Sequence, residues 1–468
     1  MNFVPAELEA ILRDTPELQH AYLVGGCVRD ALLGKPGKDF DVEVFGVTYE
    51  QLAQALSRWG RTDLVGRSFG VVKLTTGGNH TYDFTIPRRD SKVAPGHKGF
   101  TIEFDTNITL RDAAARRDFT VNAIMYNPRS HELLDFFDGK ADLENRVLRH
   151  TSDAFGEDPL RVLRGMQFVA RFNLEPAPET LKLSREISHH HGQLAPERVR
   201  EEWFKWAAKS TTPSAGLKFL VANDWIDHYP EIKACIDTPQ EPAWHPEGDV
   251  FVHTCHCCDA MAKLPQWQEE DEQSRIAHML AILAHDFGKP QTTRHELKDG
   301  VMRITSPGHD ELGAELAKTF MARINVPLAI QERVVPLVRA HLFHFNTITD
   351  RGVRRLAKRL EPENIESLAL IMTADSLGRP PRPPQVPEHV TELLEKAHEL
   401  QVRKKPAAPI LMGRHLIELG MQPGAKFGEI LHAAYDAQLE GTFFDLPGAL
   451  EWLKTQGDDA QKMRSKML

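Results

Sequence analysis

Short apolar runs alternate with helical patterns from residue 1 to about residue 140. Runs rich in apolar and β-branched residues predict strands at 22–24, 42–45, 71–74 and 81–86. The first run ends at two glycines, and a helical pattern then extends from Val28 to Leu33, before Gly34 and Pro36. This alternation predicts an N-terminal domain that contains both helices and strands.

From about residue 145 the apolar spacing becomes helical. Two apolar stripes show this spacing, formed by Leu160, Leu163 and Phe168 and by Val199, Trp203 and Trp206. We expect a connector at 237–242 and further helices over 245–378. The segment 379–387 contains too many prolines for a helix, so it predicts a stiff linker. A helical tail follows it.

Composition and charge narrow the possible functions. The 57 Lys and Arg residues against 66 Asp and Glu residues give a net charge of −9, so overall charge does not indicate nucleic-acid binding. Five cysteines in a chain of this length do not form a disulfide framework, which favours a reducing compartment. No apolar run approaches the roughly 20 residues of a membrane helix, and the acidic start lacks a signal-peptide pattern. We therefore predict a cytoplasmic protein without membrane contact.

A glycine pair follows the first predicted strand. Gly25 and Gly26 lie where the strand turns into a helix, and glycine lets backbone N–H groups approach a phosphate closely. Arg29 lies one helical turn later, where its guanidinium can reach the same anion. The segment therefore predicts a phosphate-binding turn.

Acidic residues alternate with apolar ones along the second predicted strand. Asp39, Asp41 and Glu43 share one face, because side chains alternate along a strand. Two such carboxylates can bind divalent cations that accompany a nucleoside triphosphate. Asp83, on a later strand, is a candidate third carboxylate. The alternative is an edge strand whose acids simply face water; the glycine turn and Arg29 nearby favour the catalytic interpretation.

A second group of candidate residues lies in the helical half of the chain. His285 and Asp286 are adjacent within the apolar stretch 278–289. Burial of such a pair is costly without a partner, and a metal ion is the usual partner. Cys255, Cys257 and Cys258 lack a second Cys or His pair at zinc-site spacing, so we expect them to be packing residues on a helix.

The glycine turn and the paired acids together resemble a known family. Gly25-Gly26-x-x-Arg29-Asp30 followed by Asp39-x-Asp41 resembles the nucleotidyltransferase motif of the class II tRNA CCA-adding enzymes and bacterial poly(A) polymerases, which share a DNA polymerase beta-like palm. The resemblance implies that the two aspartates bind catalytic Mg²⁺, with Asp83 as a third catalytic acid. It also implies that the glycines and Arg29 hold the triphosphate.

Two further segments resemble later motifs of this family. Arg116–Ala123 is similar to the second motif, which implies that Arg117 contacts the nucleotide and that Asp118 and Asn122 face the ribose. Glu157–Arg164 resembles the motif that reads the incoming base.

Within that last motif the chemistry of base selection follows from spacing. Asp158 and Arg161 are three residues apart, so on a helix they would face the same way. A carboxylate and a guanidinium can then present hydrogen-bonding edges to C or A, with help from Arg164. Considered without the other motifs, Asp158 and Arg161 could form an ion pair at the surface. One departure is Gln167, where many relatives have an arginine, so one triphosphate or base contact differs here.

The helical half resembles the HD phosphohydrolase superfamily. The order His253, then His285-Asp286, then Asp375 matches its metal ligands. His309 and His341 match the extra histidines of members that hold two metals. The resemblance implies phosphoester hydrolysis at one or two divalent transition metals, with Lys289 near the phosphate. Any one of these histidines alone would be an ordinary core or surface residue.

These patterns predict an α+β nucleotidyltransferase palm followed by an all-α neck, HD and tail domains. We expect the head at 1–143, the neck at 144–240, the HD domain at 241–380 and the tail at 381–468. The tail segment 408–428 resembles a tail motif that helps hold tRNA in the family. Basic clusters near Arg354, Lys358 and Arg403 can contact phosphates or form solvated helix faces.

The expected function is template-independent addition of C and A from CTP and ATP to the 3′ end of tRNA, with an HD phosphohydrolase in the same chain. A CC-only enzyme, an A-only enzyme or a poly(A) polymerase would use the same chemistry and form a different product. A loop near residues 87–100 is expected to influence this choice. The sequence also leaves open a phosphohydrolase with a non-catalytic nucleotide-binding or RNA-binding domain, and an RNA-binding scaffold.

Overall fold

A computed structural model describes residues 3–35, 37, 39–63, 70–92, 100–104, 107–343, 348–381 and 385–456 of the 468-residue chain. The chain divides into two compact units, Met1–Tyr229 and Pro230–Leu468. The first unit contains the seven-stranded sheet, and the second unit is predominantly helical. The finer boundaries expected from sequence stay predictions.

The first unit contains helices and a mixed sheet. Its α-helices are α1 (Ala6–Asp14), α2 (Gly26–Leu32), α3 (Tyr49–Leu56), α4 (Leu110–Ala115), α5 (Gly139–Glu144), α6 (Leu160–Phe172), α7 (Pro178–Glu186), α8 (Pro196–Lys209) and α9 (Pro213–Ala222). Its strands are β1 (Ala21–Val24), β2 (Asp41–Val44), β3 (Gly60–Asp63), β4 (Val71–Thr76), β5 (Thr81–Thr85), β6 (Arg88–Lys92), β7 (Phe100–Phe104), β8 (Met125–Tyr126), β9 (Leu133–Leu134), β10 (Val147–Leu148) and β11 (Glu175–Pro176). Short 3-10 helices are formed by Pro16–Leu18, Thr120–Asn122, Asp153–Glu157, Ser188–Gln193 and Trp225–His228.

The main sheet has the strand order β3-β4-β5-β2-β1-β8-β9. β2 lies in its interior, antiparallel to β1 and parallel to β5. All four strands predicted from the apolar runs are present as β1, β2, β4 and β5. The edge-strand alternative for the acidic segment is wrong, because β2 has a hydrogen-bonded neighbour on each side.

The alternation along β2 follows the prediction. Phe40, Val42 and Val44 belong to the buried core under the sheet. Asp41 is exposed on the opposite face, whereas Glu43 is buried by its neighbours. Asp39 precedes the strand and is exposed. The apolar side chains therefore fix which face of β2 the acids occupy.

The region after residue 145 is helical but not entirely so. Both predicted stripes are buried, on α6 and on α8. β10 and β11 form a small parallel pair within this region, however, so the prediction of an all-α neck is wrong in this detail. Each of these strands has only two residues, and such short segments produce no periodic pattern.

The second unit is predominantly helical. Its α-helices are α10 (Pro230–Lys233), α11 (Val250–Lys263), α12 (Pro265–Gln268), α13 (Glu272–Ala284), α14 (Lys289–Thr292), α15 (His309–Arg323), α16 (Leu328–Ala340), α17 (Asp350–Arg359), α18 (Ile365–Leu377), α19 (Glu388–Glu399), α20 (Gly413–Glu418), α21 (Ala425–Glu440) and α22 (Leu446–Thr455). The predicted connector at 237–242 contains no helix or strand. No described residue between α18 and α19 is helical, as expected for the proline-rich linker.

One hairpin interrupts the helices and corrects the prediction of an all-α HD domain. β12 (Arg294–Lys298) pairs antiparallel with β13 (Val301–Thr305). Asp299 and Gly300 form its two-residue loop, both with positive φ. An Asp-Gly pair is a strong sequence signal for such a loop, and the chain contains it here. Among the described residues, no helix is long and apolar enough to cross a membrane.

A buried ionic network stabilises the second unit. His278 Nδ1 lies 2.7 Å from Glu270 Oε2, and His278 Nε2 lies 3.5 Å from Glu363 Oε2. Arg333 and Ser367 also donate to Glu363. Burial alone would lower the pKa of His278, but the two glutamates raise it to about 9. The folded chain therefore holds a proton on His278 that the unfolded chain releases near its ordinary pKa.

We expect this proton to make stability depend on pH. The contribution is fully present below about pH 6.5 and decreases as pH rises towards 9, by up to about 3 kcal/mol. In urea unfolding experiments, His278→Gln should flatten the decline of the unfolding free energy across this window. His295→Gln, at an exposed position on β12, should retain the wild-type slope. Parallel curves for the wild type and His278→Gln would contradict this assignment.

Candidate functional site

The first cleft begins at the turn between β1 and α2. Gly25 has a φ of 73°, and α2 begins at Gly26. A Cβ atom on Gly25 would lie 3.3 Å from Arg117 Nη1 and 3.7 Å from Asp41 Oδ2. The glycine therefore lets a cation and an acid approach the backbone at the same point.

Strand register brings Asp41 to this turn and places Asp83 beside it. Asp41 is opposite Val24 on β1 and opposite Asp83 on β5. Lys73 Nζ lies 3.5 Å from Asp83 Oδ1. Partial removal from water raises the pKa of Asp41; Arg117 opposes this, and the neighbouring acids Asp83, Asp39 and Glu43 add to it. A raised pKa is expected where several carboxylates share a cleft, and a bound cation would reverse it.

A chain of buried polar side chains forms the other wall. Arg29 Nη1 donates to Asn122 Oδ1 at 2.7 Å, and Asn122 Nδ2 donates to Asp118 Oδ1 at 3.0 Å. Arg164 Nε donates to the other oxygen of Asp118 at 2.7 Å. Burial alone would raise the pKa of Asp118, but Arg164 and Asn122 hold it below its ordinary value. Motif residues far apart in sequence are thus held in one network.

Two arginines of this cleft have their own supports. Arg117 Nη2 donates to Glu43 Oε2 at 2.9 Å. The Arg29 guanidinium lies over the ring of Phe172, 4.3 Å from its centroid, and pairs with Asp30. These contacts fix the direction of both cations.

The cleft has a volume of about 280 Å³. Eight of the predicted residues line it, namely Gly25, Gly26, Arg29, Asp41, Arg117, Asp118, Asn122 and Arg164. The sequence analysis did not assign Phe168, Arg171 and Lys205 to the site, yet they also line it. Gln167 lines it too and accepts a hydrogen bond from Arg171 at 2.9 Å. Arg171 therefore adds a positive charge next to the position where many relatives have an arginine.

The two residues predicted to read the base, Asp158 and Arg161, do not line this cleft. Asp158 precedes α6 and accepts from the backbone N–H of Leu160, so the expectation that both residues share one helix face is wrong. Its other oxygen accepts from Arg198 at 2.8 Å. Arg161 donates to the backbone oxygens of Ala154 and Arg116. Neither residue of the pair is among those that line the cleft, and their role stays a prediction.

The second site lies in the second unit, where the six predicted HD residues converge. His253 Nε2 lies 3.3 Å from His285 Nε2 and 3.0 Å from Asp375 Oδ1. Asp286 Oδ2 lies 3.3 Å from His285 Nε2, and Asp286 Oδ1 lies 3.3 Å from His309 Nε2 and 3.9 Å from His341 Nε2. All six side chains are buried.

The histidine rings are oriented by their Nδ1 atoms. His285, His309 and His341 each have Nδ1 within 2.7 Å of the backbone oxygen three residues earlier. His253 Nδ1 instead lies 2.7 Å from Glu247 Oε1. A histidine that donates from Nδ1 offers the lone pair of Nε2, and this is the usual arrangement around a protein-bound metal.

Unpartnered buried atoms indicate that these residues fit a metal. The Nε2 atoms of His309 and His341 are buried and have no hydrogen-bond partner. Burial and the nearby His285 lower the pKa of His341 to about 3, so its imidazole is neutral. Burial would raise the pKa of Asp286, but His285 and Lys289 hold it well below its ordinary range. The neutral His341 imidazole and the ionised Asp286 carboxylate are in the forms that bind metals.

Sequence reasoning missed three residues around this site. Glu247 supports His253, as described above, and has no characteristic spacing that could have revealed it. Arg379 donates to both oxygens of Asp375, four residues earlier, a spacing that indicates proximity at a helix end. Cys257, expected only to pack on a helix, is buried with its sulfur 3.4 Å from Nε2 and 3.7 Å from Nδ1 of His253. Cys255 and Cys258 are buried on the same helix.

A cleft of about 500 Å³ leads to the HD residues. Its lining includes Asp286, His309, His341, Asp375 and Lys289. Lys289 Nζ lies 2.7 Å from Asp286 Oδ2 and 2.7 Å from Gln240 Oε1. A lysine at this point provides a positive charge where a phosphate would approach the metal ligands.

Comparison with known families finds two domains in this chain. The model of the poly A polymerase head domain matches residues 21–149, and the model of the HD domain matches residues 254–379. A multifunctional CCA protein of Xanthomonas campestris pv. campestris is 35% identical over 431 residues, which cover 88% of this chain and 96% of that protein. One of Nitrosococcus oceani is 36% identical over 367 residues, covering 76% and 84%.

The chain belongs to the multifunctional CCA protein family. Both matched domains belong to metal-dependent families.

Solved structures related to this CCA protein family share the fold. A CCA-adding enzyme in apo form II has a TM-score of 0.63 at 20% identity and covers 97% of each chain. The CCA-adding enzyme of Bacillus stearothermophilus in complex with CTP has a TM-score of 0.62 at 18% identity, covering 99% of this chain and all of that one. The predicted fold class, an α+β head followed by a helical region, is confirmed apart from the small strand pairs.

Two features expected of the CCA family are only partly described. Of the loop proposed near residues 87–100, residues 93–99 lie outside the described residues, and β6 and β7 flank them. One residue of each predicted basic cluster forms an ion pair: Arg355 with Glu440, Lys358 with Glu361, and Arg403 with Glu366. A contact between these residues or the tail and tRNA stays a prediction.

The glycine turn generates a direct test. Gly25→Ala and Gly34→Ala each place a side chain at positive φ, so each should lower the unfolding free energy by about 1 kcal/mol. Only Gly25→Ala adds an atom against Arg117, because a Cβ on Gly34 meets nothing within 4 Å. Isothermal titration with CTP should therefore show weaker binding, by at least about 10-fold, for Gly25→Ala alone. Equal affinities in the two variants would contradict this role for the turn.

Proposed function

We propose that this chain adds C and A from CTP and ATP to the 3′ end of tRNA, and that its HD centre hydrolyses a phosphoester. The main observation is the convergence of the glycine turn, Asp41 and Arg117 in one cleft. Relatives named multifunctional CCA proteins, and solved CCA-adding enzymes with CTP, with ATP and with tRNA, support this choice of substrates.

In the proposed reaction the 3′-hydroxyl of tRNA attacks the α-phosphate and pyrophosphate leaves. The amide groups at the start of α2 and the Arg117 guanidinium would hold the triphosphate, and the buried Arg29 would add positive charge behind them. Asp118 and Asn122, fixed by Arg164, would face the ribose. This arrangement would orient the α-phosphate towards the carboxylates of the sheet.

Asp39 and Asp41, with Asp83 on the neighbouring strand, would hold Mg²⁺. The fit rests on the strand register, which places the hard oxygen ligands of Asp41 and Asp83 side by side. It also rests on the pKa of Asp41, which removal from water and then the neighbouring acids raise. When bound, such ions stabilise the attacking and leaving oxygens of an in-line displacement. The protein contributes the fixed spacing of the acids, because β2 is hydrogen-bonded on both sides.

Base selection is proposed to involve Asp158, Arg161 and Arg164. Arg164 lines the cleft and is anchored by Asp118, which supports a role for it next to the nucleotide. Asp158 and Arg161 would have to exchange their present partners for the base. We further propose the boundaries of head, neck, HD and tail domains given in the sequence analysis, a cytoplasmic location, and tRNA contact by the tail.

At the HD centre, His253, His285, Asp286 and Asp375 would hold one divalent transition metal, and Asp286, His309 and His341 a second. Such a metal supplies a water of lowered pKa for attack on phosphorus. Lys289 would orient the phosphate. A cyclic phosphate or a 2′-phosphate at a damaged RNA end is the proposed class of substrate.

The most direct test uses labelled tRNA that ends before CCA, after C or after CC, with each nucleotide in turn. A CCA-adding enzyme extends all three to the complete end and then stops. A CC-only enzyme stops after the second C, an A-only enzyme extends only the last substrate, and a poly(A) polymerase continues with A. Extension of none of them would exclude the proposed transferase.

We expect Asp39→Ala combined with Asp41→Ala to reduce nucleotide incorporation by roughly 10³-fold or more, because the cation ligands are removed. Hydrolysis of a 2′,3′-cyclic nucleotide by the same variant should be unchanged. Asp63→Asn, on β3 three strands away from β2, is the matched control and should incorporate normally. Incorporation at the wild-type rate in the double variant would contradict the assignment.

Conversely, His285→Ala combined with Asp286→Ala should abolish phosphoester hydrolysis and leave incorporation within about 2-fold of wild type. Circular dichroism would establish that the variant is folded. If the folded variant also lost incorporation, the two activities would not be independent. Hydrolysis at the wild-type rate would contradict the HD assignment.

A further inference from the structure

Trp244 is exposed at the cleft that leads to the HD ligands. It is 61% exposed, and it lines this cleft together with Asp286 and Lys289. The chain has seven tryptophans, all within its described part, and the other six are buried or half-buried. A tryptophan usually gives most of its surface to the core, so the exposure of Trp244 calls for a physical reason.

The turn that carries Trp244 is anchored to the hairpin. The backbone N–H of Trp244 donates to the backbone oxygen of Glu241 at 2.9 Å. The Glu241 carboxylate in turn accepts from the backbone N–H of Ile304 on β13 at 2.9 Å and from Arg303 Nη1 at 3.1 Å. These hydrogen bonds hold the turn in place while the indole that it carries stays exposed to solvent.

The residues on either side of Trp244 connect this turn to the HD ligands. Gln240 Oε1 accepts from Lys289 Nζ at 2.7 Å, and the same ammonium lies 2.7 Å from Asp286 Oδ2. His245 Nδ1 lies 2.9 Å from Glu247 Oε1, the atom that also orients the first HD histidine. The position of the indole is therefore fixed relative to the metal ligands from both sides.

The cleft has the size and the surfaces that a nucleotide needs. Its volume of about 500 Å³ lies within the range of roughly 300–1,000 Å³ that is typical of small-molecule sites. Ile304 and Leu342, both half-buried, add apolar surface to its lining. Lys289 adds positive charge next to the metal ligands. The cleft thus offers a charged surface to a phosphate and an aromatic surface to a base.

We propose that the base of a nucleotide substrate stacks on Trp244 while the phosphoester lies at the HD ligands. Stacking on an aromatic side chain tolerates any base, because every base has a π-face. Trp244 therefore selects phosphoesters that carry a base over those that lack one, and it does so without reading a base sequence. This inference rests on the HD phosphohydrolase proposed above and names a residue that determines its substrate class.

The first experiment compares two phosphomonoesters on the full-length chain, adenosine 2′-phosphate and glycerol 2-phosphate, which has no base. Trp244→Ala should raise the KM for adenosine 2′-phosphate by about 10-fold and leave kcat within about 2-fold of wild type. The same variant should hydrolyse glycerol 2-phosphate with an unchanged kcat/KM. Trp244→Phe should retain most of the affinity, because a phenyl ring also stacks on a base. An unchanged KM for adenosine 2′-phosphate in Trp244→Ala, or an equal loss with both compounds, overturns the inference.

The second experiment measures binding without hydrolysis. Tryptophan fluorescence is excited at the red edge of the band, where adenine does not absorb, while adenosine 2′-phosphate is added. The nucleotide should quench the wild type and Trp452→Phe, a control at a half-buried position on α22, more strongly than Trp244→Phe. Equal quenching in the wild type and Trp244→Phe, or no quenching in the wild type, overturns the inference. Quenching that depends on Trp244 in a chain that hydrolyses neither compound supports the stacking site and overturns the proposed hydrolase.

Discussion

Burial of ionisable side chains against one another is the constraint on which both sites depend. An isolated charge in a protein interior is strongly unfavourable, so each one here has a fixed partner. In the first unit, Asp118 is held between Asn122 and Arg164. In the second, Asp286 is held by His285, Lys289 and the two histidines beyond it. Each network fixes the directions of its members before any substrate binds.

Sheet register has the same effect on the first site. β2 is hydrogen-bonded to β1 on one side and to β5 on the other, and its apolar residues are embedded in the core. A slip by one residue would turn Val42 towards the cleft and Asp41 into the core. The apolar residues of the strand thus determine the position of the acids as firmly as the acids' own contacts do.

Much of this arrangement could be predicted from the sequence, because its signals are local. The glycine turn, the alternation on β2 and the apolar stripes of α6 and α8 each arise within a few residues. Other features depend on distant neighbours. Asp158 lies before a helix rather than on it, and its carboxylate accepts a hydrogen bond from Arg198, 40 residues later. The hairpin β12–β13 is different, since its Asp-Gly loop is itself a local sequence signal within a region predicted to be helical.

The histidines of the second site also occupy a particular place on their helices. His285 and His341 follow the last residues of α13 and α16, and their rings bond backbone oxygens of the final turn. Those oxygens belong to the negative end of each helix macrodipole. Two helices therefore direct their electronegative ends at one point in the interior. The backbone itself creates an electrostatic potential there that attracts positive charge, independently of which side chains supply the lone pairs.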